Sequence, residues 1–166
     1  MTAYWWVVMG VSGCGKSSLG AALAEATGLP LVEGDDFHPP GNIAKMKAGV
    51  PLGDDDRAGW LAALGRKLAA RPEGAVLTCS ALKRAYRDVL RAAVPELRFV
   101  FLRIDRAEAQ ARVAARAAAH FFSTTLVDSQ FATLEDPTGE PGVLAVEATD
   151  PVDALVAQAL AWAPQR

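Results

Sequence analysis

Long apolar runs, an excess of either charge and a disulfide-forming set of cysteines are all missing from this 166-residue sequence. No window approaches the roughly 18 apolar residues that a membrane-spanning helix needs, so we expect no membrane partner. The formal net charge of −2 gives no reason to expect nucleic-acid binding. Cys14 and Cys79 are the two cysteines, and we expect both to be reduced thiols. No basic leader precedes the first apolar run, which predicts a cytoplasmic location.

Short apolar runs alternate with helical patterns along the chain, with no internal repeat and no linker. The predicted strands are Tyr4–Met9, Leu29–Val32, Ala75–Cys79, Phe99–Ile104 and Val143–Val146. The predicted helices lie near Lys16–Thr27, Asp55–Arg71, Lys83–Ala93, Arg106–Ala118, Leu126–Leu134 and Pro151–Trp162. Continuous apolar strands separated by helices predict an α/β fold with a parallel sheet covered on both faces. The length favours one domain spanning residues 1–166, with ligands at the carboxyl ends of the strands.

The segment "GVSGCGKS", Gly10 to Ser17, matches the pattern G-x-x-x-x-G-K-[ST] between an apolar strand and a helix. In this P-loop, backbone N–H groups and a helix N-terminus surround phosphate oxygens. Lys16 is expected to reach the β- and γ-phosphates, and Ser17 to offer its hydroxyl to Mg²⁺. The predicted nucleotide-binding residues are Gly10, Ser12, Gly13, Cys14, Gly15, Lys16, Ser17 and Ser18.

A P-loop alone does not reveal whether water or a second substrate attacks the γ-phosphate. The N-K-x-D motif by which GTPases read their base is absent from the sequence. The second predicted strand is followed by "GDDFHPPGN", Gly34 to Asn42, which is dense in carboxylates. Carboxylates delivered beside the phosphates are typical of a small-molecule kinase.

Three long segments together resemble the gluconokinase family of P-loop kinases, which is related to shikimate kinase. They are "LPLVEGDDFHPPGNIAKMKAGVPLGDDDRAGWL" from Leu29, "CSALKRAYRDVLR" from Cys79 and "HFFSTTLVDSQFATLEDP" from His120. The resemblance implies a five-stranded parallel sheet of order 2-3-1-4-5 with a mobile lid at about residues 112–130. It also implies Mg²⁺-dependent transfer of the ATP γ-phosphate to the 6-hydroxyl of D-gluconate.

On the acceptor side, the resemblance makes Asp35 the catalytic carboxylate that orients the attacking hydroxyl and accepts its proton. Positioning matters more than base strength in such a loose transition state. Glu33 is expected to support Mg²⁺ binding beside Ser17 without coordinating the ion directly. His38 is expected to contact a sugar hydroxyl, and Arg57 to bind the substrate carboxylate through its planar guanidinium.

The remaining acceptor contacts are predicted in the segment after the third strand. Ser80 can read substrate hydroxyls, and Lys83 can neutralise phosphate or substrate charge. Arg87, one helical turn beyond Lys83, can share its face or instead pair with a surface acid. The acids Asp54 and Asp55 are interpreted as helix caps and dipole partners.

The lid segment departs from the family pattern. Its link reads "RAAAHFF", which is one residue longer than usual and lacks glycine. This departure leaves open whether Arg112 or Arg116 contacts the phosphates, and we assign the catalytic role to Arg116. His120 and Gln130 are expected to help cover the substrate.

The implied partners are ATP and D-gluconate, and a homodimer is possible. Two alternatives remain open: a kinase of another small acid or polyol such as shikimate, and a nucleotide-gated binding module. The segments "HPPGN" and "CSALK" argue against the first. Asp35, an acceptor-side carboxylate that a binding module does not need, argues against the second.

Overall fold

The computed structural model describes residues 4–115 and 124–163. Its centre is a five-stranded parallel sheet in the order β2-β3-β1-β4-β5, which confirms the predicted fold class and strand order. The strands are β1 Tyr4–Met9, β2 Leu31–Glu33, β3 Gly74–Thr78, β4 Arg98–Arg103 and β5 Val143–Glu147. The helices of the described residues are α1 Lys16–Thr27, α2 Pro40–Lys47, α3 Asp54–Ala69, α4 Arg84–Ala93, α5 Arg106–Ala115, α6 Thr124–Thr133 and α7 Val152–Trp162.

Each face of the sheet has its own apolar core, because successive strand side chains point to opposite faces. In β4, Phe99 and Phe101 pack in the cluster that includes residues of α3 and α4. Val100 and Leu102 pack in the second cluster, with residues of α1 and α7. Helices on both faces explain why the central strands are apolar throughout.

The second strand differs from its predicted bounds. It was expected at Leu29–Val32, but pairing with β3 runs from Leu31 to Glu33. Pro30 has no N–H to give to the ladder, and only its carbonyl pairs, accepting from Val76 N–H at 2.9 Å. The strand therefore delivers Glu33 and the following 3₁₀ turn, Gly34–Phe37, to the carboxyl edge of the sheet.

The cap of α3 also differs from the prediction. Asp54 and Asp55 were expected to cap this helix, but Asp56 does so, because its Oδ2 accepts from Gly53 N–H at 2.8 Å. Asp54 instead accepts hydrogen bonds from Tyr86 and Lys83. All three acids remain in the first turn, where the helix dipole favours negative charge.

Two helices represent the described part of the predicted lid. The end of α5 and most of α6 fall within residues 112–130, and residues 116–123 lie outside the described ranges. Gln110 Nε2 donates to Asp128 Oδ1 at 2.8 Å, which joins α5 to α6. In the described part of the chain, no helix has the length and apolar content needed to cross a membrane.

Candidate active site

The P-loop connects β1 to α1 and presents backbone N–H groups at the start of a helix. Gly15 precedes α1 with a φ of 94°, in the left-handed region that glycine adopts readily. The Lys16 ammonium lies over the loop and donates to the carbonyl oxygens of Gly10 at 3.0 Å and Val11 at 3.1 Å. A lysine and a helix N-terminus at one point make a binding place for phosphate groups.

The remaining predicted P-loop residues differ in what their side chains do. The Cys14 side chain is buried in the core, and burial raises the pKa of its thiol. Only its backbone is therefore available to a nucleotide. The Ser12 N–H donates to Gln130 Oε1 at 2.6 Å, so α6 contacts the loop directly. Ser18 is exposed in the first turn of α1.

A hydroxyl and a carboxylate meet beside the P-loop. Ser17 Oγ donates to Glu33 Oε2 at 2.9 Å, and Thr78 Oγ1 donates to the same oxygen at 3.0 Å. Mg²⁺ takes oxygen ligands and is usually held by one or two protein groups together with phosphates and waters. Ser17 and Glu33 therefore fit the Mg²⁺ that a P-loop kinase uses, with Thr78 orienting the carboxylate.

The turn after β2 is held so closely to β3 that only glycine fits at position 34. A Cβ atom there would lie 2.2 Å from the Thr78 carbonyl oxygen. Gly34 N–H donates to Thr78 Oγ1 at 3.3 Å, and Gly34 O accepts from Trp60 Nε1 at 2.8 Å. These contacts fix the backbone that carries Asp35.

A cavity lies between the P-loop, this turn, α3 and α6. It is lined by Ser12, Lys16, Asp35, His38, Met46, Pro51, Leu52, Arg57, Trp60, Ser80, Leu126, Ser129 and Gln130. The structure thus brings together residues predicted for the phosphates, for the attacking hydroxyl and for the substrate carboxylate. Sequence reasoning missed the apolar and small lining residues, such as Leu52 and Ser129, because nothing local distinguishes them from core or surface positions.

His38 is a buried wall of this cavity and stacks on Trp60, with ring centroids 4.0 Å apart. Asn42 Nδ2 donates both to the Asp56 carbonyl at 2.8 Å and to His38 Nδ1 at 3.2 Å. Because Nδ1 accepts, the proton of the neutral ring sits on Nε2, which lies 3.7 Å from Asp35 Oδ1.

The charge state of His38 follows from its surroundings. Burial and, secondarily, the Arg57 guanidinium lower the pKa of His38 to about 4. The ring is therefore neutral near pH 7 and offers an Nε2–H donor to a hydroxyl. It is not a cation for the substrate carboxylate.

Arg57 lines the same cavity from α3 and is 7% exposed. Its Nη1 donates to Tyr86 Oη at 3.1 Å, and its guanidinium lies 5.3 Å from the centre of the Tyr86 ring. Within residues 4–115 and 124–163, no carboxylate forms an ion pair with it. A buried guanidinium with most of its donors unused by described protein groups is suited to an anionic ligand.

Two residues predicted to contact substrate have protein partners in the structure. Lys83 Nζ pairs with Asp54 Oδ1 at 3.0 Å and does not line the cavity. Arg87 is fully buried and forms an ion pair with Glu140 at 2.6 Å. Its Nη1 also donates to Ala81 O at 2.7 Å, so Arg87 supports the loop after β3, and its predicted contact with substrate stays a prediction.

The lid arginine in the described residues contacts two loops. Arg112 Nη1 lies 3.3 Å from Gly13 O, and Nη2 lies 3.4 Å from Ala148 O. Arg112 therefore joins the P-loop to the segment after β5. The predicted catalytic Arg116 and the predicted substrate contact His120 lie outside the described residues, so their roles stay predictions.

A family model described as an AAA domain matches residues 6–139. Thermoresistant gluconokinase of Escherichia coli strain K12 is 40% identical over 159 residues, covering 93% of this chain and 90% of that protein. Gluconokinase of Gluconobacter oxydans strain 621H is 45% identical over 143 residues, covering 84% and 80% of the two chains.

A solved gluconokinase from Sinorhizobium meliloti 1021 superimposes with a TM-score of 0.87 and 51% identity, covering 95% of this chain and 90% of that one. Shikimate kinase from Acinetobacter baumannii, at 16% identity and a TM-score of 0.66, shares the fold alone. The P-loop, the sheet order and the cavity beside the P-loop define a P-loop small-molecule kinase. Because the gluconokinases compared above are 40–51% identical to it over most of its length, the chain belongs to the gluconokinase family.

Proposed function

We propose that this protein is a gluconokinase, which transfers the γ-phosphate of ATP to the 6-hydroxyl of D-gluconate and forms 6-phospho-D-gluconate. The observation that carries the proposal is the cavity in which Lys16, Asp35 and Arg57 meet. It offers a cation for phosphate, a carboxylate for a hydroxyl and a second cation for a carboxylate.

The charges of the cavity lining support an acceptor that is itself an anion. Lys16, Asp35 and Arg57 are its charged residues in the described chain, because His38 is neutral. All three also act on one buried thiol: the pKa of Cys79 is raised to about 12, mainly by burial, with Asp35 also raising it and Lys16 and Arg57 lowering it. With Lys16 assigned to the nucleotide and Asp35 to the hydroxyl, Arg57 is left for the substrate carboxylate.

The transfer itself assigns one task to each group. Asp35 orients the 6-hydroxyl toward the γ-phosphorus and takes its proton as the new oxygen–phosphorus bond forms. The bond between the γ-phosphorus and the bridging oxygen breaks, and ADP leaves. Lys16 stabilises negative charge on the moving phosphoryl group, and Arg116 is proposed to do the same from the lid.

The acceptor is held by neutral hydrogen-bond donors and by the shape of the cavity. His38 Nε2–H and the Ser80 hydroxyl face the cavity and can read the hydroxyls of a polyol chain. Gln130 reaches the cavity from α6 while its Oε1 is bound to the P-loop, which leaves its amide N–H groups for substrate. Ser17, with Glu33 nearby, would hold Mg²⁺, which would neutralise negative charge on the phosphates.

The assay that tests the proposal compares acceptors. ADP release from ATP is measured with D-gluconate, with shikimate and without acceptor, and the product is identified by ³¹P–¹H correlation at carbon 6. We expect turnover with D-gluconate alone. Turnover with shikimate but not D-gluconate would replace the substrate assignment, and nucleotide binding without acceptor-dependent turnover would favour a binding module.

We also propose that residues 1–166 act as one kinase domain in the cytoplasm. One continuous sheet with helices on both faces supports a single domain. A homodimer stays a prediction, which sedimentation of the purified protein at several concentrations will test.

A further inference from the structure

A line of hydrogen bonds leads from the cavity to the protein surface behind Arg57. Arg57 Nη1 donates to Tyr86 Oη at 3.1 Å, and Tyr86 Oη donates to Asp54 Oδ1. Lys83 Nζ donates to the same Asp54 oxygen at 3.0 Å. The four residues come from α3 and from α4 with its preceding residue, so the network joins the two helices.

The direction of each hydrogen bond is fixed by chemistry. A guanidinium cannot accept, and an ionised carboxylate cannot donate, so the single Tyr86 proton must go to Asp54. The Tyr86 oxygen is then free to accept from Arg57. Hydrogen bonds from Tyr86 and Lys83 lower the pKa of Asp54, and burial with the bond to Asp54 raises the pKa of Tyr86. Both groups therefore stay in the states that this direction requires.

The charges of the network favour an anion in the cavity. Lys83 neutralises Asp54, and the positive charge of Arg57 is left without an ion-pair partner among the described residues. The Arg57 guanidinium is linked to Asp54 through the neutral phenol of Tyr86, not through a direct ion pair. An ion pair would consume the charge that a substrate carboxylate needs.

We propose that Tyr86, oriented by Asp54, is a positioning residue that fixes the Arg57 guanidinium for the carboxylate of the acceptor. This inference rests on the proposed function. An arginine side chain has many rotamers, and recognition of a planar carboxylate requires the guanidinium in one orientation. The Tyr86 hydroxyl and ring together restrain that orientation, and Tyr86 is not among the residues that line the cavity.

Replacing Tyr86 by phenylalanine removes the hydroxyl and keeps the ring. The ring belongs to the buried core cluster that also contains residues of α3 and β3, so the Tyr86→Phe variant should keep its place in that core. We expect the KM for D-gluconate to rise about tenfold, in line with losing a hydrogen bond to a charged group. The kcat and the KM for ATP should stay within about twofold, because neither the phosphates nor Asp35 is touched.

The chain offers a matched control, because its other tyrosine is Tyr4 at the start of β1. The Tyr4→Phe variant undergoes the same chemical change away from the cavity and should leave both KM values unchanged. Asp54→Asn, on an exposed side chain, removes the charge that orients the Tyr86 proton. Asp54→Asn should also raise the KM for D-gluconate, by a smaller factor than Tyr86→Phe. If Tyr86→Phe does not fold, Asp54→Asn serves as the test variant.

An uncharged analogue distinguishes positioning of Arg57 from general damage to the site. D-Glucitol has the carbon chain and hydroxyls of D-gluconate without its carboxylate. Its inhibition constant should be the same for wild type and Tyr86→Phe, while D-gluconate binds more weakly to the variant. Equal weakening of both ligands, or an unchanged KM for D-gluconate, would overturn the proposal.

Calorimetric binding of D-gluconate keeps this test separate from the test of function. Binding to the wild type without turnover would overturn the proposed reaction only, and weaker binding to Tyr86→Phe would still support the positioning role. Equal binding to wild type and variant would overturn the positioning role while leaving the reaction in place. Absence of D-gluconate binding to the wild type would overturn both.

Discussion

Three arginines that the sequence places near the site occupy three different environments. Arg57 faces the cavity with one hydrogen bond to a described protein group. Arg87 has all five of its N–H groups bound to protein oxygens, so it has none to offer a ligand. Arg112 bridges two loop carbonyls beside the P-loop. Residue type alone therefore does not assign a role to an arginine. The number of its N–H groups already bound to protein oxygens shows whether it can bind a ligand.

Asp35 gives the most direct test at this scale. We expect Asp35→Asn to lower kcat at least about 10²-fold, because the hydroxyl loses its orienting group and proton acceptor. The KM for ATP should stay nearly unchanged. Asp36→Asn is the matched control, because Asp36 is adjacent, exposed and outside the cavity lining. An equal loss of ATP affinity in Asp35→Asn would assign Asp35 to the metal instead.

His38 makes stability depend on pH with a sign that can be worked out. Its folded pKa of about 4 lies below the ordinary value of 6.5, so between these values the unfolded chain binds more protons. The neutral ring therefore contributes fully to the unfolding free energy above pH 6.5, and this contribution is lost as the pH falls toward 4. Between pH 7 and 5, wild type should lose about 2 kcal/mol more unfolding free energy than His38→Gln.

Urea denaturation of both proteins at the two pH values measures this difference directly. The carboxylates also titrate in this range, but they are common to both proteins and cancel in the comparison. Parallel pH dependence in wild type and His38→Gln would show that the ring is protonated as readily in the folded protein as in the unfolded chain.

At the scale of elements, the pattern of apolar runs predicted the sheet but not the details at its edge. The bounds of β1 and α1 are as predicted, because a continuous apolar run and a glycine-rich loop determine them locally. The 3₁₀ turn that carries Asp35 was not predicted, because it depends on the close contact of Gly34 with Thr78, which is 44 residues away. Likewise, the i, i+4 spacing of Lys83 and Arg87 gave no sign of their partners.

The contact between α6 and the P-loop leads to a prediction for Gln130. The Gln130→Leu variant keeps side-chain bulk but cannot accept from Ser12 N–H, so α6 loses its hydrogen bond to the loop. We expect kcat/KM for D-gluconate to fall about tenfold, which corresponds to one net hydrogen bond of about 1.4 kcal/mol. Steady-state kinetics with D-gluconate varied at saturating ATP measures it.

Asp128 provides the control for Gln130 on the same helix. Its side chain is exposed and contacts α5, away from the cavity. Asp128→Asn should therefore change kcat/KM by less than about twofold, consistent with the small contribution of exposed charges. A similar loss in both variants would mean that general loosening of α6, not the Ser12 contact, lowers activity.

At the scale of the whole molecule, the parallel sheet explains why distant segments form one site. The P-loop follows β1, the turn with Asp35 follows β2, and the Ser80 loop follows β3. Because parallel strands end at one edge, these three segments meet there. Sequence could predict this convergence from strand order. It could not predict which side chains at the edge face the cavity, since that depends on partners such as Glu140 for Arg87.

That ion pair leads to the last prediction, which concerns the stability of the whole fold. Arg87 connects α4, the loop after β3 and Glu140 ahead of β5, and both side chains are buried or nearly so. Arg87→Met fills similar volume but removes both the charge and the hydrogen-bond donors. Among the described residues, the Glu140 carboxylate then keeps Arg91 as its cation. The carbonyls of Ala81 and Leu82 lose the hydrogen bonds that Arg87 donates to them. Losing one partner of a buried pair should lower the unfolding free energy by about 3–5 kcal/mol, measured by urea denaturation at pH 7.

Arg84→Met is the control for Arg87→Met. The Arg84 guanidinium is exposed and lies 4.0 Å from Asp88, so the loss of unfolding free energy should be below about 0.5 kcal/mol. Equal denaturation midpoints for the two variants would show that the Arg87 network does not stabilise the fold, and its place behind the Ser80 loop would then need another explanation.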